Sequence, residues 1–329
     1  MSIAIEQVEA LGARVFLPEG PYGAAGQTPL PAFKPGFVVG GDFGGEFEFV
    51  FLTVVGSLTL NQGDVLIYDN SFQAVQSQTG TGVHPFGASL GTFWLGGRVG
   101  DPAAAPAAQN YWSYTFPTPG VYGIWVQRAG ISLANFASVS AQTKPVNTTA
   151  VNSQLNQPSS PLVGSMGITG MWSCPTSWTF TGTTTNGSVN FTAVSQAKGL
   201  VKGQLLSGTG VATGSVIVDT QGSVIVSSLP ATASGTVTIT ASNNAAYVTT
   251  TSGSAVLTNV TDIAGIYPNQ AISGTGIPGS TTILSITGNS APYTITMSAN
   301  ATATANNILI ATSGYQEAFL QWPYVQTQN

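Results

Sequence analysis

Glu46-Phe47-Glu48-Phe49-Val50-Phe51 places an aromatic ring at every second position. Successive side chains of a β-strand point to opposite faces, so Phe47, Phe49 and Phe51 share one face and Glu46 and Glu48 the other. That is the pattern of a half-buried strand whose glutamates are expected to solvate its outer side. Similar short runs follow at 64–69, 92–95 and 121–128, separated by turn formers such as Asn61-Gln62-Gly63-Asp64 and Thr118-Pro119-Gly120. Short strands at even spacing predict a barrel or a sandwich. Helix signals reduce to one short turn at 4–14, because the Ala-rich stretch 103–108 is broken by Pro106.

Further along, the chain repeats itself. Thr183-Thr184-Thr185-Asn186-Gly187-Ser188 returns 66 residues later as Thr249-Thr250-Thr251-Ser252-Gly253-Ser254. At the same offset Ser207-Gly208-Thr209-Gly210 matches Ser273-Gly274-Thr275-Gly276, Gln204 matches Gln270, and Gly199 matches Gly265. The offset grows to 70 by Ala231-Thr232-Ala233 and Ala301-Thr302-Ala303. The added residues fall at 219–223 in one copy and 288–292 in the other. Insertions are tolerated at hairpin tips, so the change in length locates a turn between the strands Val216-Ile217-Val218 and Val224-Ile225-Val226. The expected fold is all-β: an N-terminal β-barrel or sandwich domain plus two tandem small Ig-like, β-sandwich-like modules. The expected boundaries are 1–142 for the N-terminal domain, 143–180 for a polar linker or arm, 181–242 and 243–312 for the modules, and 313–329 for a C-terminal strand. The aromatic character of 314–325 suggests that this strand returns to the first domain.

Composition narrows the function. Hydrophobic residues make up 43% of the 329 residues and charged residues only 6%, against roughly a quarter in ordinary soluble proteins. Disordered chains are poor in apolar residues and rich in charge, so disorder does not explain the shortage. Few charges need desolvating when such surfaces meet, which suits large permanent contacts. The seven Lys and Arg are scattered and form no stripe that could follow a phosphate backbone, so no nucleic-acid partner is expected. Cys174 is the single cysteine, which excludes an intrachain disulfide framework. No apolar run reaches the length of a membrane span, and Met1-Ser2-Ile3-Ala4-Ile5-Glu6 shows neither a basic region nor a secretory apolar stretch. A product made in the cytoplasm, without a membrane partner, is expected.

Catalytic patterns are weak. Gly87-Ala88-Ser89-Leu90-Gly91 matches a nucleophile elbow and His84 stands nearby, but no histidine follows Ser89 and no helix pattern does. Gly208-Thr209-Gly210 and Gly274-Thr275-Gly276 lack the third glycine or the lysine of phosphate loops, so turns are expected there. One His and one Cys cannot build a zinc site, and Asp64, Asp69, Asp219 and Asp262 are too dispersed for a calcium loop. No catalytic residue, metal site or cofactor is expected, and the chain is read as a non-enzyme. The aromatic cluster Trp94, Trp112, Tyr114, Tyr122 and Trp125 fits core filling, subunit contact or a sugar platform. Trp94, Trp112, Tyr122, Trp125 and Trp322 are carried forward as interface or core anchors.

Two stretches resemble phage virion proteins. Leu58-Thr59-Leu60-Asn61-Gln62-Gly63-Asp64-Val65-Leu66, followed by Gly120-Val121-Tyr122-Gly123-Ile124-Trp125-Val126-Gln127-Arg128-Ala129-Gly130, is similar to small β-barrel proteins that decorate phage capsids. Val201-Lys202-Gly203-Gln204-Leu205-Leu206-Ser207-Gly208-Thr209-Gly210-Val211 resembles the Thr/Ser/Gly repeats of phage head and tail structural proteins. The resemblance implies a capsid decoration (cement) protein or head fibre of a tailed bacteriophage. Its partners would be the major capsid protein and further copies of itself, for instance as a trimer, and its place the capsid exterior. A tail decoration or tail-fibre component, and a surface adhesin or carbohydrate-binding module, are the alternatives.

Overall fold

The computed structural model describes residues 18–22, 31, 33–40, 45–77, 87–95, 112–137, 146–149, 152–157, 166–288 and 290–328. Their regular structure is all-β. The short turn expected at 4–14, the Ala-rich stretch 103–108 and His84 lie outside the described residues. Among the described residues no helix is long and apolar enough to cross a membrane. The chain divides into two compact units: one runs to Cys174 and resumes at Gly314, and the other is Pro175–Ser313.

Unit 1 opens with β1 (Glu19–Tyr22), β2 (Val38–Gly40), β3 (Glu46–Val54), β4 (Leu58–Asn61), β5 (Val65–Tyr68) and β6 (Gln73–Gln76). It continues with β7 (Ser89–Trp94), β8 (Ser113–Phe116), β9 (Gly120–Asn135), β10 (Val146–Thr148), β11 (Leu155–Asn156) and β12 (Met166–Ser173). Pairing runs β3 to β6 in parallel, then β6 to β5, β5 to β7, β7 to β9 and β9 back to β3, all antiparallel. The ring therefore closes, which leaves these strands no free edge. Val50, Leu52 and Val54 of β3 point into it with Leu66, Phe93, Tyr122, Ile124 and Val126.

The other face of β3 is also covered. Phe49 packs 5.4 Å from Trp125, Phe33 5.0 Å from Trp125, and Phe47 4.9 Å from Trp94. The expected outward role of Glu48 is thereby corrected. Glu48 shares the parity of Val50 and Leu52, so it faces inward at the end of the ring and is buried. There it accepts from Tyr68 Oη (2.6 Å) and Arg128 Nη1 (2.7 Å).

Unit 2 contains two equivalent modules. The first has β13 (Ser177–Thr184), β14 (Asn190–Phe191), β15 (Leu205–Gly208), β16 (Ile217–Gln221), β17 (Val224–Ser227) and β18 (Gly235–Ser242). The second has β19 (Ala245–Thr250), β20 (Val256–Val260), β21 (Ala271–Gly274), β22 (Ile283–Thr287), β23 (Tyr293–Met297) and β24 (Ala305–Ser313). The second module is one sheet ordered β21-β24-β19-β20-β23-β22. The first has the same order split in two, β15-β18-β13 and β14-β17-β16, joined by the bridge Thr183↔Thr192 at the place of the pair Thr249↔Thr258. Bridges Leu205↔Val216 and Ala271↔Thr282 then join the outer strands, so each module curls back on itself. The turns located by the change in repeat length lie between β16 and β17 and between β22 and β23.

The repeated polar residues are internal fasteners. Gln204 is buried; its Oε1 accepts from Val201 N–H (3.0 Å) and its Nε2 donates to Gly199 O (3.3 Å). Gln270 does the same with Tyr267 (2.9 Å) and Gly265 (2.9 Å). Thr184 and Thr250, both buried, donate to Ala233 O and Ala305 O. These side chains satisfy backbone groups that the turns leave unpaired.

The segment expected to be a linker, 143–180, is corrected. It supplies β10, β11 and β12 to the large sheet of unit 1 and the start of β13 to unit 2. Among its described apolar side chains, Val146, Leu155, Met166, Ile168 and Met171 point inward and are buried together. Most of the residues between them are small or polar, which made the stretch look structureless. After unit 2 the chain returns as β25 (Tyr315–Gln328), which pairs with β9 on one side and β12 on the other.

Candidate interaction surface

Four of the five carried-forward anchors are inside unit 1. Trp94, Trp112, Tyr122 and Trp125 are buried, and the Tyr122 ring lies 4.9 Å from Phe116 with its hydroxyl donating to Thr118 O (2.9 Å). They fill the core and are out of reach of a partner. Trp322 is the exception, with about half of its surface exposed (54%).

Trp322 owes its position to a break in the ladder between β12 and β25. Thr169 pairs with Tyr324 and Met171 with Leu320, so β25 spends two more residues than β12 over this interval. The extra residues are Trp322-Pro323. Proline cannot donate to a ladder, and Trp322 takes a left-handed φ of 45° that carries its indole outward. Opposite them Gly170 has φ +83°, and a Cβ there would stand 2.5 Å from Gln321 O. The indole Nε1 donates to Glu46 Oε1 (3.0 Å), which also receives Arg128 Nε (2.9 Å). A polar chain thus runs from the exposed Trp322 through Glu46, Arg128 and Glu48 to the buried Tyr68. Burial, and then the Glu48 carboxylate, push the Tyr68 phenol pKa up, so Tyr68 remains the donor.

Beside Trp322 lies an aromatic row. Trp172 of β12 stands opposite Phe319 of β25, which stands opposite Ile131 of β9. All three point outward, at 41%, 45% and 36% exposure, and the Trp172 and Phe319 rings are 6.1 Å apart. Tyr324, 39% exposed, extends the row along β25. Together with Trp322 these side chains present on the order of 400 Å² of apolar surface, given the 150–250 Å² that a buried aromatic covers. That is the size of the largest apolar patch a typical monomer exposes, which is often functional. Trp172 was hidden in the stretch expected to be a linker. Its outward position is nevertheless written in the alternation Met171 in, Trp172 out, Ser173 in.

β25 is locked in place from beneath. Tyr315 Oη donates to Asp64 Oδ1 (2.7 Å) and accepts from Asn61 Nδ2 (3.0 Å) and Asn135 Nδ2 (3.4 Å). Asp64 Oδ2 accepts Asn61 N–H (2.9 Å). Burial lifts the Asp64 pKa to about 6 although these hydrogen bonds favour the carboxylate. Asp64 therefore ties the turn after β4 to the last strand.

The residues of the catalytic patterns lie in strands and turns where they are described. Ser89 is the first residue of β7, paired with Tyr68 and Tyr324, so a strand follows it directly. The two Gly-Thr-Gly stretches form turns, closed by Val211 N–H to Gly208 O (3.2 Å) and Ile277 N–H to Gly274 O (3.1 Å). Among the described residues no three of His, Cys, Asp or Glu are grouped to hold a metal ion. Cys174 is free, and burial followed by the charge of Glu317 pushes its thiol pKa up to about 12. Comparison with protein-family models, curated proteins and solved structures finds no match to this chain.

Proposed function

We propose that this chain is a virion structural protein that decorates and stabilises a phage capsid by binding the major capsid protein. The observation that carries the proposal is the exposed row of Trp172, Phe319 and Ile131 with Trp322 and Tyr324 beside it, on a unit whose own aromatic core is already filled. A standard protein interface covers about 800 Å² per partner around an apolar centre. The row would supply that centre, and uncharged neighbours such as Gln321, Gln326 and Thr169 the rim. A chain with 6% charged residues loses little by desolvation on such a shell. The resemblance of 58–66 and 120–130 to capsid-decorating barrels points the same way.

The test is cosedimentation of the purified chain with capsids of its own phage that lack it. The double variant Trp172→Ser, Phe319→Ser should bind at least tenfold more weakly while keeping its near-ultraviolet circular dichroism. Undiminished binding would sink the proposal. The same exposed Trp172, Trp322 and Tyr324 carry a second reading as a glycan platform, and specific glycan-array binding lost with Trp322→Ala would favour it.

A further inference from the structure

The register of unit 1 sets a charged group beside the aromatic row. Glu46 of β3 and Gln321 of β25 both pair with Ala129 of β9, and two residues further along β9 Ile131 pairs with Phe319. Paired residues share a face, so Glu46 stands on the face of the row with Ile131 as its diagonal neighbour, on the order of 7 Å away. The Glu46 side chain is a quarter exposed (25%). Trp322 Nε1 and Arg128 Nε both fall on its Oε1, and among the described residues nothing is bonded to its Oε2. Arg128 also binds Glu48 Oε2, so one guanidinium serves two carboxylates and a negative charge is left unbalanced. The other described cation of unit 1, Lys34, makes no ion pair among the described residues. The indole that donates to Oε1 is itself half exposed. A bare indole face and a carboxylate oxygen without a donor are thus held against each other at the end of the row.

We infer that the row docks against a surface that presents an arginine, whose guanidinium stacks on the Trp322 indole and donates to Glu46 Oε2. The inference rests on the reading of the row as the capsid-binding face and adds the chemistry of what that face meets. Charge complementarity selects the occupant. A cation over an indole is attracted by the negative face of the ring, and the unbalanced carboxylate beside it strengthens the attraction. A purely apolar partner closing over Trp322 would bury Glu46 with one oxygen unsatisfied, which is costly. An acidic partner would be repelled. Arginine fits better than lysine because a planar guanidinium lies flat on the indole while the N–H groups at its edge reach the carboxylate. Glu46 already receives one guanidinium in this manner, with Arg128 Nε on Oε1. The aromatic row would then exclude water, and the arginine at its edge would fix the register of docking.

Two measurements on the full chain test this. In the first, heteronuclear correlation spectra follow the Trp322 Nε1–H resonance, assigned through its sequence neighbours, during titration with acetyl-Gly-Arg-Gly-amide. The resonance should move and saturate at roughly millimolar peptide, and the citrulline peptide, uncharged and nearly the same shape, should bind at least about tenfold more weakly. Glu46→Gln should abolish the response. Equal movement with the citrulline or the corresponding lysine peptide would overturn the proposal, as would an undiminished response in Glu46→Gln. Should Glu46→Gln misfold, the comparison of the peptides on the unsubstituted chain decides alone. In the second, capsid cosedimentation separates this proposal from the reading beneath it. Glu46→Gln should bind capsids about fivefold more weakly and lose less affinity than the unsubstituted chain as salt rises. Capsid binding that falls with Trp172→Ser, Phe319→Ser yet is indifferent to Glu46→Gln overturns the arginine and leaves the docking face. Peptide binding by a chain that ignores capsids supports the guanidinium site and overturns the capsid as the source of its arginine.

Discussion

Replacing Tyr315 by Phe removes one oxygen and leaves a ring that still fills its place. The lost hydroxyl donates to Asp64 Oδ1 at 2.7 Å and accepts from Asn61 and Asn135. A hydrogen bond to an ionised group is worth about 1.5–3 kcal/mol, and one between neutral groups about 1 kcal/mol. Asp64 ionises near pH 6 in the folded chain. The substitution should therefore cost about 2–3 kcal/mol at pH 8, where Asp64 is charged, and about 1 kcal/mol at pH 5, where it is neutral.

The unsubstituted protein sets the sign of the background. A folded pKa of about 6 against 3.8 means that the native state holds the proton longer than the unfolded chain. Asp64 therefore contributes stability that is present at low pH and lost as pH rises from about 4 to about 6. The loss amounts to about 3 kcal/mol for about two units. Removing a donor that favours the carboxylate raises that pKa further, so the variant must lose more than the parent as pH rises. Guanidinium unfolding followed by tryptophan emission reports on unit 1, because Trp94, Trp112, Trp125, Trp172 and Trp322 lie there and only Trp178 lies in unit 2. Equal costs at pH 5 and pH 8, or a larger cost at pH 5, would refute the role assigned to the Tyr315–Asp64 pair.

Two further outcomes are expected. Gln270→Ala should cost about 2–3 kcal/mol in the melting of unit 2 followed by far-ultraviolet circular dichroism, because it strands a buried N–H and carbonyl of its turn, and Gln204→Ala, whose backbone partners are part-exposed, about 1 kcal/mol; a change below about 0.5 kcal/mol in both would contradict the fastening role. Excising Pro175–Ser313 and joining Cys174 to Gly314 through a short glycine-containing turn should leave the near-ultraviolet spectrum of unit 1 in place; loss of that spectrum would show that unit 1 needs its insertion to fold.

The tandem modules were legible because their repetition falls on residues the fold cannot vary freely. Gln204 and Gln270, and Thr184 and Thr250, are buried polar groups with fixed backbone partners. The extra length falls where a hairpin tip can absorb it. Strands with one face in solvent were legible by alternation. Where both faces are covered, polarity ceased to report exposure. Glu48 looked external but is inward and neutralised by Arg128, an ion pair across 80 positions of sequence that no local pattern contains. The strands β10 to β12 were missed because short strands at the end of a sheet bury only some residues, and apart from Trp172 the described remainder is small or polar. The large aromatics of 94–125 were legible as core or interface anchors but not as one rather than the other, since residue type alone does not say which side of a barrel wall a ring occupies. The row of Trp172, Phe319 and Ile131 needed the register of β12, β25 and β9 to become a surface at all.

The insertion of unit 2 follows a simple energetic logic. β12 and β25 are antiparallel neighbours, with Ser173 paired to Ala318 and Cys174 N–H bonded to Glu317 O at 2.8 Å. A tight turn would join them in an ordinary hairpin. Replacing a turn of roughly four residues by an unstructured loop of roughly 140 is about five doublings of length, about 3 kcal/mol of closure entropy. A folded insertion avoids that cost only if its own two ends are close together. They are: Thr176 on the incoming strand accepts from Asn243, and Thr312 on the outgoing strand donates to the adjacent Asn244. The connector between the modules thus also clasps the two ends of the unit, so that the folded pair presents its termini much as a hairpin turn would. A module array can be carried between two neighbouring strands of a sheet because its termini, and not its length, are what the sheet has to accommodate.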